Sequence, residues 1–135
     1  MRRKLALVAI LVRDYDEALG FYVGTLGFDL VEDTPISGAK RWVVVRAGPG
    51  GADILLARAT DEAQTAAVGR QGGGRVWLFL HTDDLDRDHA RLSGLGVRFA
   101  DGPRREPYGK VAVFEDLYGN RWDLIEPAPV DQGKA

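Results

Sequence analysis

The chain has 135 residues, 45% of them hydrophobic and 28% charged, with a formal net charge of −2. That length suits one domain burying roughly two-thirds of the surface its unfolded form would expose, and the near-neutral balance gives no electrostatic basis for a nucleic-acid or anionic-membrane partner. The absence of cysteine excludes disulfides, thiolate zinc sites and cysteine nucleophiles, and fits a reducing, cytoplasmic setting with a small organic molecule as partner.

The first stretch, MRRKLALVAILV, sets a basic start before an apolar run. The run ends at Arg13-Asp14 with no small-residue cleavage site and is too short to cross a bilayer, so it reads as a strand and not as a leader or a membrane span. Asp14 follows as a helix N-cap, with Glu17 at the capping-box spacing. Ala18, Leu19, Tyr22 and Leu26 recur at helical intervals, and Gly27 ends the helix. Strands are expected over 29–32, 41–46 and 53–57. ATDEAQTAAVGRQGGG, residues 59–74, reads as a linker in which Thr60 caps a short helix and the glycines supply slack. Gly72-Gly73-Gly74 lacks the lysine and hydroxyl of a phosphate loop.

The plan then repeats. RVWLFLH (75–81) is a strand, Asp84 caps a helix whose apolar stripe is Leu85, Leu92 and Leu95, and His89 on that helix reads as a packing residue. Strands are expected over 98–100, 111–115 and 121–126. Asp14 and Asp84 are 70 residues apart, as are Asp16 and Asp86, Lys40 and Lys110, Val43 and Val113, and Asp53 and Asp123. An offset kept from the first strand to the last implies two copies of one β-α-β-β-β unit, because unrelated segments would drift with each loop insertion. The expected architecture is one α+β domain over 1–135, with modules at about 4–58 and 75–127 joined by the linker at 59–74.

One stretch raises a chemical question. In FEDLYGNRWDLIEP (114–127) the turn at Tyr118-Gly119-Asn120 leads into a strand. Side chains alternate between faces, so Asp123 shares its face with Ile125 and not with Trp122 and Leu124, and aspartate is depleted in strands.

The paired modules, the run VRDYDEALGFYVGTLGF and the closing DLYGNRWDLIEP resemble the vicinal oxygen chelate superfamily, which includes glyoxalase I, extradiol dioxygenases and the fosfomycin and bleomycin resistance proteins. The resemblance covers about Leu5 to Pro127. It implies two half-barrel sheets with helices on the convex face and the ligand on the concave face. It also implies four metal-ligand positions, two per module, which fall here on Leu7, Asp53, Trp77 and Asp123. Leucine has no donor atom and indole offers only an N–H, so neither coordinates a cation. Two aspartates alone would leave most of a Mg²⁺ or Ca²⁺ shell to water. The expectation is no metal, with a divalent ion at Asp53 and Asp123 as the lesser alternative.

Alternation places Leu7, Ala9 and Leu11, then Trp77, Phe79 and His81, then Asp53 with Leu55 and Asp123 with Ile125 on the concave face. This is a mainly apolar, aromatic-walled pocket or, alternatively, a packed core. His81 is a general acid or base, or a solvated strand end. Arg104, Arg105, Glu106 and Tyr108 form a ligand-gripping loop at the cavity mouth, or a charged surface loop. Trp42 and Arg41 face opposite ways, and the register does not follow from sequence. Asp53 and Asp123 have a structural alternative as well, pairing with Arg41 or Lys110.

Two functional readings follow from the resemblance. One is a metal-free binding protein that holds a small apolar or aromatic molecule. The other is a lyase, isomerase or dioxygenase-type enzyme using Asp53 or Asp123 as base, with Tyr108, His81 or an arginine stabilising the developing charge. A homodimer is expected, since a half-barrel module leaves its concave face and sheet edges open.

Overall fold

The structure, a computed structural model, describes residues 2–129. The fold is α+β, with two open four-stranded mixed sheets. Strands β1 (Leu7–Val12), β2 (Asp29–Ser37), β3 (Lys40–Arg46) and β4 (Asp53–Arg58) lie in the order β1-β4-β3-β2. Strands β5 (Val76–His81), β6 (Phe99–Glu106), β7 (Gly109–Glu115) and β8 (Arg121–Pro127) repeat that order as β5-β8-β7-β6. In each sheet the first and last strands pair in parallel and the others antiparallel. The chain divides into two compact units: β1–β4 with the turn Leu117–Gly119, and β5–β8.

In the first unit Asp14 caps α1 (Tyr15–Leu19), accepting the Glu17 N–H at 2.8 Å. The Glu17 side chain does not close the box; it turns to Arg13 at 2.8 Å. The helix was expected to run unbroken to Gly27, but it widens into a π-helical segment at Gly20–Thr25, with the Leu26 N–H donating to the Phe21 carbonyl five residues back. Gly20 and Gly24 weaken the α-helical alternative here. The wider turn seats Tyr22, which is fully buried, between Phe21 and Phe28 at ring separations of 5.2 and 5.8 Å. Ile10, Val12, Val43, Val45 and Leu56 complete this core with no exposed surface, each adding roughly 1.5–3 kcal/mol on burial.

In the second unit Asp84 caps α3 (Leu85–Gly94), accepting from the Arg87 N–H. Leu85 and Leu92 are buried, whereas Leu95 is 55% exposed beyond the helix end. His89 packs on Phe99 with ring centroids 4.4 Å apart. Phe114 stacks on Trp122 at 5.8 Å, which fixes β7 against β8.

Both outer strands exceed their expected lengths. β2 runs to Ser37 through Pro35, and β6 runs to Glu106 through Pro103. Each lies at a sheet edge, where a missing N–H costs no ladder bond. Arg104, Arg105 and Glu106 are therefore strand residues and not a loop, and only Tyr108 occupies a turn.

The joining segment is also more ordered than its glycines suggested. Asp61, and not Thr60, caps α2 (Glu62–Ala67), while Thr60 donates to Gln64. Gln71 accepts the Leu11 N–H at 2.7 Å and donates to the Ala9 carbonyl at 3.2 Å. Its side-chain amide thus imitates a strand partner for the free edge of β1.

Candidate functional site

Each sheet has a helix-covered face and an open one. In the first, Leu7 lies beside Asp53, Ala9 beside Leu55 and Leu11 beside Ala57 in parallel register. Ile10, Val12, Ile54 and Leu56 on the other face are buried, so the open face carries Leu7, Ala9, Leu11, Asp53 and Leu55. Val44 pairs with Leu55, which puts Trp42 and Arg46 on this face too and sends Arg41 to the helix side. There the Arg41 guanidinium lies 5.0 Å from the centre of the Tyr15 ring and pairs with Asp33 and Asp16.

The Asp53 carboxylate is held by Arg46 through two parallel bonds of 2.8 and 2.9 Å. That bidentate contact keeps it ionised and lowers its pKa below the usual carboxylate range. Neither Arg41 nor Lys110 is its partner, and Lys110 instead meets Asp86 of α3 at 3.0 Å.

The turn before β8 is closed by hydrogen bonds between Asp116 and Asn120. Asn120 donates its backbone N–H and its Nδ2 to the Asp116 carboxylate at 2.9 and 2.8 Å, and the Asp116 N–H returns to the Asn120 carbonyl. Gly119 supplies the positive φ of 97° that the turn needs. Three residues on, Asp123 lies between Phe79 of β5 and Val113 of β7. Ile125 and His81 are neighbours on the same face, and His81 is exposed at the end of its strand. Asp123 is only 8% exposed, and its Oδ1 has no hydrogen-bond partner among the described residues. Burial raises its pKa, Arg104 opposes that shift and Asp101 adds to it.

The β6 register decides which arginine shares this face. Arg104 pairs with Val111, whose own neighbour is Ile125. Arg104 also bridges Asp101 at 2.6 Å and Glu106 at 2.9 Å. Arg105 pairs with Lys110, which reaches α3, so it stands on the helix face, away from Asp123. Tyr108 is 51% exposed in the β6–β7 turn. Trp77 is half-buried in a bulge between the pairs Val76–Arg121 and Leu78–Trp122, so strand pairing assigns it to neither face.

The open faces thus gather Leu7, Asp53 and Trp42 in one unit and Phe79, His81, Asp123 and Glu106 in the other. Sequence reasoning missed Arg46 and Asp101, and it set Arg104 in a mouth loop and not in a strand paired to Asp101. Arg46 stands across the β3–β4 hairpin from Asp53, one step out from Val45 opposite Ile54, a register that the sequence does not fix. The face that Arg104 takes carried no signal in the sequence, because the bulges of β6 shift its parity.

The donor set does not fit the divalent metal of the wider family. Asp53 is engaged by Arg46, the strand neighbours of the two aspartates are Leu7 and Phe79, and no three His, Cys, Asp or Glu side chains among the described residues come together as a metal-binding group. No helix among them is long and apolar enough to cross a membrane.

Comparison with known proteins matches this architecture. The family model for the Glyoxalase/Bleomycin resistance protein/Dioxygenase superfamily matches residues 4–124. An uncharacterized protein of Shewanella frigidimarina is 51% identical over 128 residues, covering 93% of this chain and 95% of its own. Among solved structures, TnmS3, an antibiotic binding protein from Streptomyces sp. CB03234, is 35% identical with a TM-score of 0.78, over 94% of this chain and 98% of its own. A glyoxalase/bleomycin resistance protein from the same organism is 36% identical with a TM-score of 0.74, over 91% and 100%. With its repeated modules and two open sheets, the chain belongs to the glyoxalase/bleomycin resistance protein/dioxygenase superfamily.

Proposed function

We propose that this protein is a metal-free binding protein that holds a small organic molecule against the open face around Asp123. The observation that carries the reading is the Asp123 carboxyl itself, which is more than nine-tenths buried and leaves Oδ1 without a partner among the described residues. An unmet polar atom of this kind costs roughly 1–3 kcal/mol, and a ligand N–H or O–H placed there removes that cost. Phe79, beside it in the ladder, is 62% exposed and offers a ring for an aromatic or apolar surface. The antibiotic binding protein TnmS3, at 35% identity, supports antibiotic-like molecules as the first compounds to screen.

Thermal-shift screening of an antibiotic panel against wild type, Asp123→Asn and Phe79→Ala tests this. Hits are expected to stabilise wild type and to lose about tenfold or more in affinity in Phe79→Ala, the loss of a ring contact and its buried area. Hits that stabilise all three proteins alike would sink the reading. Elemental analysis after dialysis tests the metal-free part, which a divalent ion at one per chain, lost in Asp123→Ala, overturns.

A second reading rests on the same residue, because a carboxyl with a raised pKa is suited to general acid–base work. Turnover of a bound hit, abolished in Asp123→Asn, would replace binding with catalysis. The proposal takes the protein as a cytoplasmic homodimer. The nine-residue edge strand β2, exposed throughout with Leu30, Val31 and Ile36 on it, supports pairing with a second copy. Light scattering is expected to give twice the 14.8 kDa chain mass.

A further inference from the structure

The first sheet is split at one end. The β3–β4 ladder stops at Val43 opposite Leu56, yet β3 continues against β2 to Lys40, and β4 continues against β1 to Arg58. The two strands part beyond that last pair and leave a cleft of about 490 Å³, lined by Tyr15, Lys40, Trp42, Ala57, Arg58 and Gln64 among others. Tyr15 occupies part of the gap, its Oη accepting the Arg41 backbone N–H at 3.1 Å. The volume is that of a small-molecule site, and every lining residue belongs to the first unit.

The lining has an uneven chemistry. No acidic side chain is among its residues, although acidic residues outnumber basic ones in the chain by 20 to 18. The Arg41 guanidinium is committed to Asp33 and Asp16. Lys40 and the half-buried Arg58 make no side-chain hydrogen bond or ion pair among the described residues. The Gln64 Oε1 is taken by Thr60, which leaves its amide nitrogen as a further donor. Trp42, half-buried on the open face, gives the cleft an aromatic wall beside the methyl of Ala57.

From this juxtaposition we infer that the cleft between the ends of β3 and β4 is a second binding site, selective for a flat aromatic molecule carrying a carboxylate or similar anion. The ring stacks on Trp42 while Lys40 and Arg58 hold the charge. A neutral analogue of the same shape leaves both cations unmet and binds more weakly. The site does not depend on the Asp123 reading, since no residue is shared between them.

The probes are α-naphthoate and its neutral counterpart α-naphthamide, titrated into the isotope-labelled full chain. The readout is the three indole N–H signals of Trp42, Trp77 and Trp122, assigned by single Trp→Phe variants. Naphthoate is expected to move the Trp42 signal saturably, with the amide weaker by about tenfold or more. Lys40→Ala with Arg58→Ala is expected to weaken naphthoate by a similar factor without disturbing the remaining spectrum. Trp42→Phe, followed through the backbone amide signals of Lys40 and Arg58 in the same cleft, weakens both probes and leaves their ratio intact, while Asp123→Asn leaves naphthoate binding unchanged. Equal affinity for amide and acid, shifts confined to Trp77 or Trp122, or no shift at millimolar naphthoate overturns the site.

Discussion

Arg46 grips both oxygens of Asp53, at 2.8 and 2.9 Å, whereas the residue facing Asp123 from the neighbouring strand is Val113. The two aspartates occupy equivalent places in sequence, but the hairpins that carry them differ in register. In the first, Val43 pairs with Leu56; in the second, its counterpart Val113 pairs with Asp123 itself. One carboxylate is therefore held as an ion, and the other is set between Phe79 and a valine.

The asymmetry predicts opposite pH dependences. The folded-state pKa of Asp53 is lowered by Arg46, so its contribution to stability is present above the unfolded carboxylate pKa and is lost as pH falls through the folded value. Asp123 has its folded-state pKa raised by burial. The folded chain then binds more protons than the unfolded one between the two values, and stability falls as pH rises through that window. Asp53→Asn is expected to lower the melting temperature at neutral pH, with the deficit closing in acid. Asp123→Asn is expected to raise it at neutral pH, on the order of 1 kcal/mol, with the gain closing in acid. Calorimetry of the three proteins from acid to neutral pH decides this, and parallel curves would refute it.

The joining segment yields a second prediction. Gly69 has φ +78°, and a Cβ there would lie 2.0 Å from the Tyr118 carbonyl oxygen. Gly50 has the same φ and open space around it. Gly50→Ala therefore measures the backbone penalty alone, about 1 kcal/mol. Gly69→Ala adds a clash with main chain that no rotamer relieves, and the expected loss is at least about 3 kcal/mol. Urea titrations of the pair test it; equal losses would mean that Tyr118 does not approach Gly69.

What was legible in the sequence follows from what repeats. The period of two placed Leu7, Asp53, Phe79 and Asp123 on the faces opposite the helices, and the offset between copies gave the order of elements. Partner choice was not legible, because it depends on hairpin register and on bulges. A two-residue difference sets Phe79, and not Trp77, beside Asp123, while Leu7 stays beside Asp53. The bulges at Asp101 and Arg104 turn Arg105 to the helix side. The π-helical segment after α1 depends on how Tyr22 packs against Phe21 and Phe28, which helical spacing alone does not reveal.

Gln71 gives the last prediction. Its amide supplies an acceptor to the Leu11 N–H and a donor to the Ala9 carbonyl, the two groups that the edge strand β1 would otherwise leave to water. A hydrogen bond of this kind contributes about 0.5–1.5 kcal/mol net, so Gln71→Ala is expected to cost roughly 1–3 kcal/mol for the two. Glutamate retains the acceptor but has no donor for Ala9 and brings a charge against a carbonyl, so Gln71→Glu is expected to recover less than half of the loss at neutral pH and more in acid, where the protonated carboxyl regains a donor. Amide hydrogen exchange localises the effect. The Leu11 N–H is expected to exchange faster in Gln71→Ala while Ile10 and Val12, facing the core, keep their protection. Uniformly faster exchange along β1 would mean instead that Gln71 holds the strand as a whole.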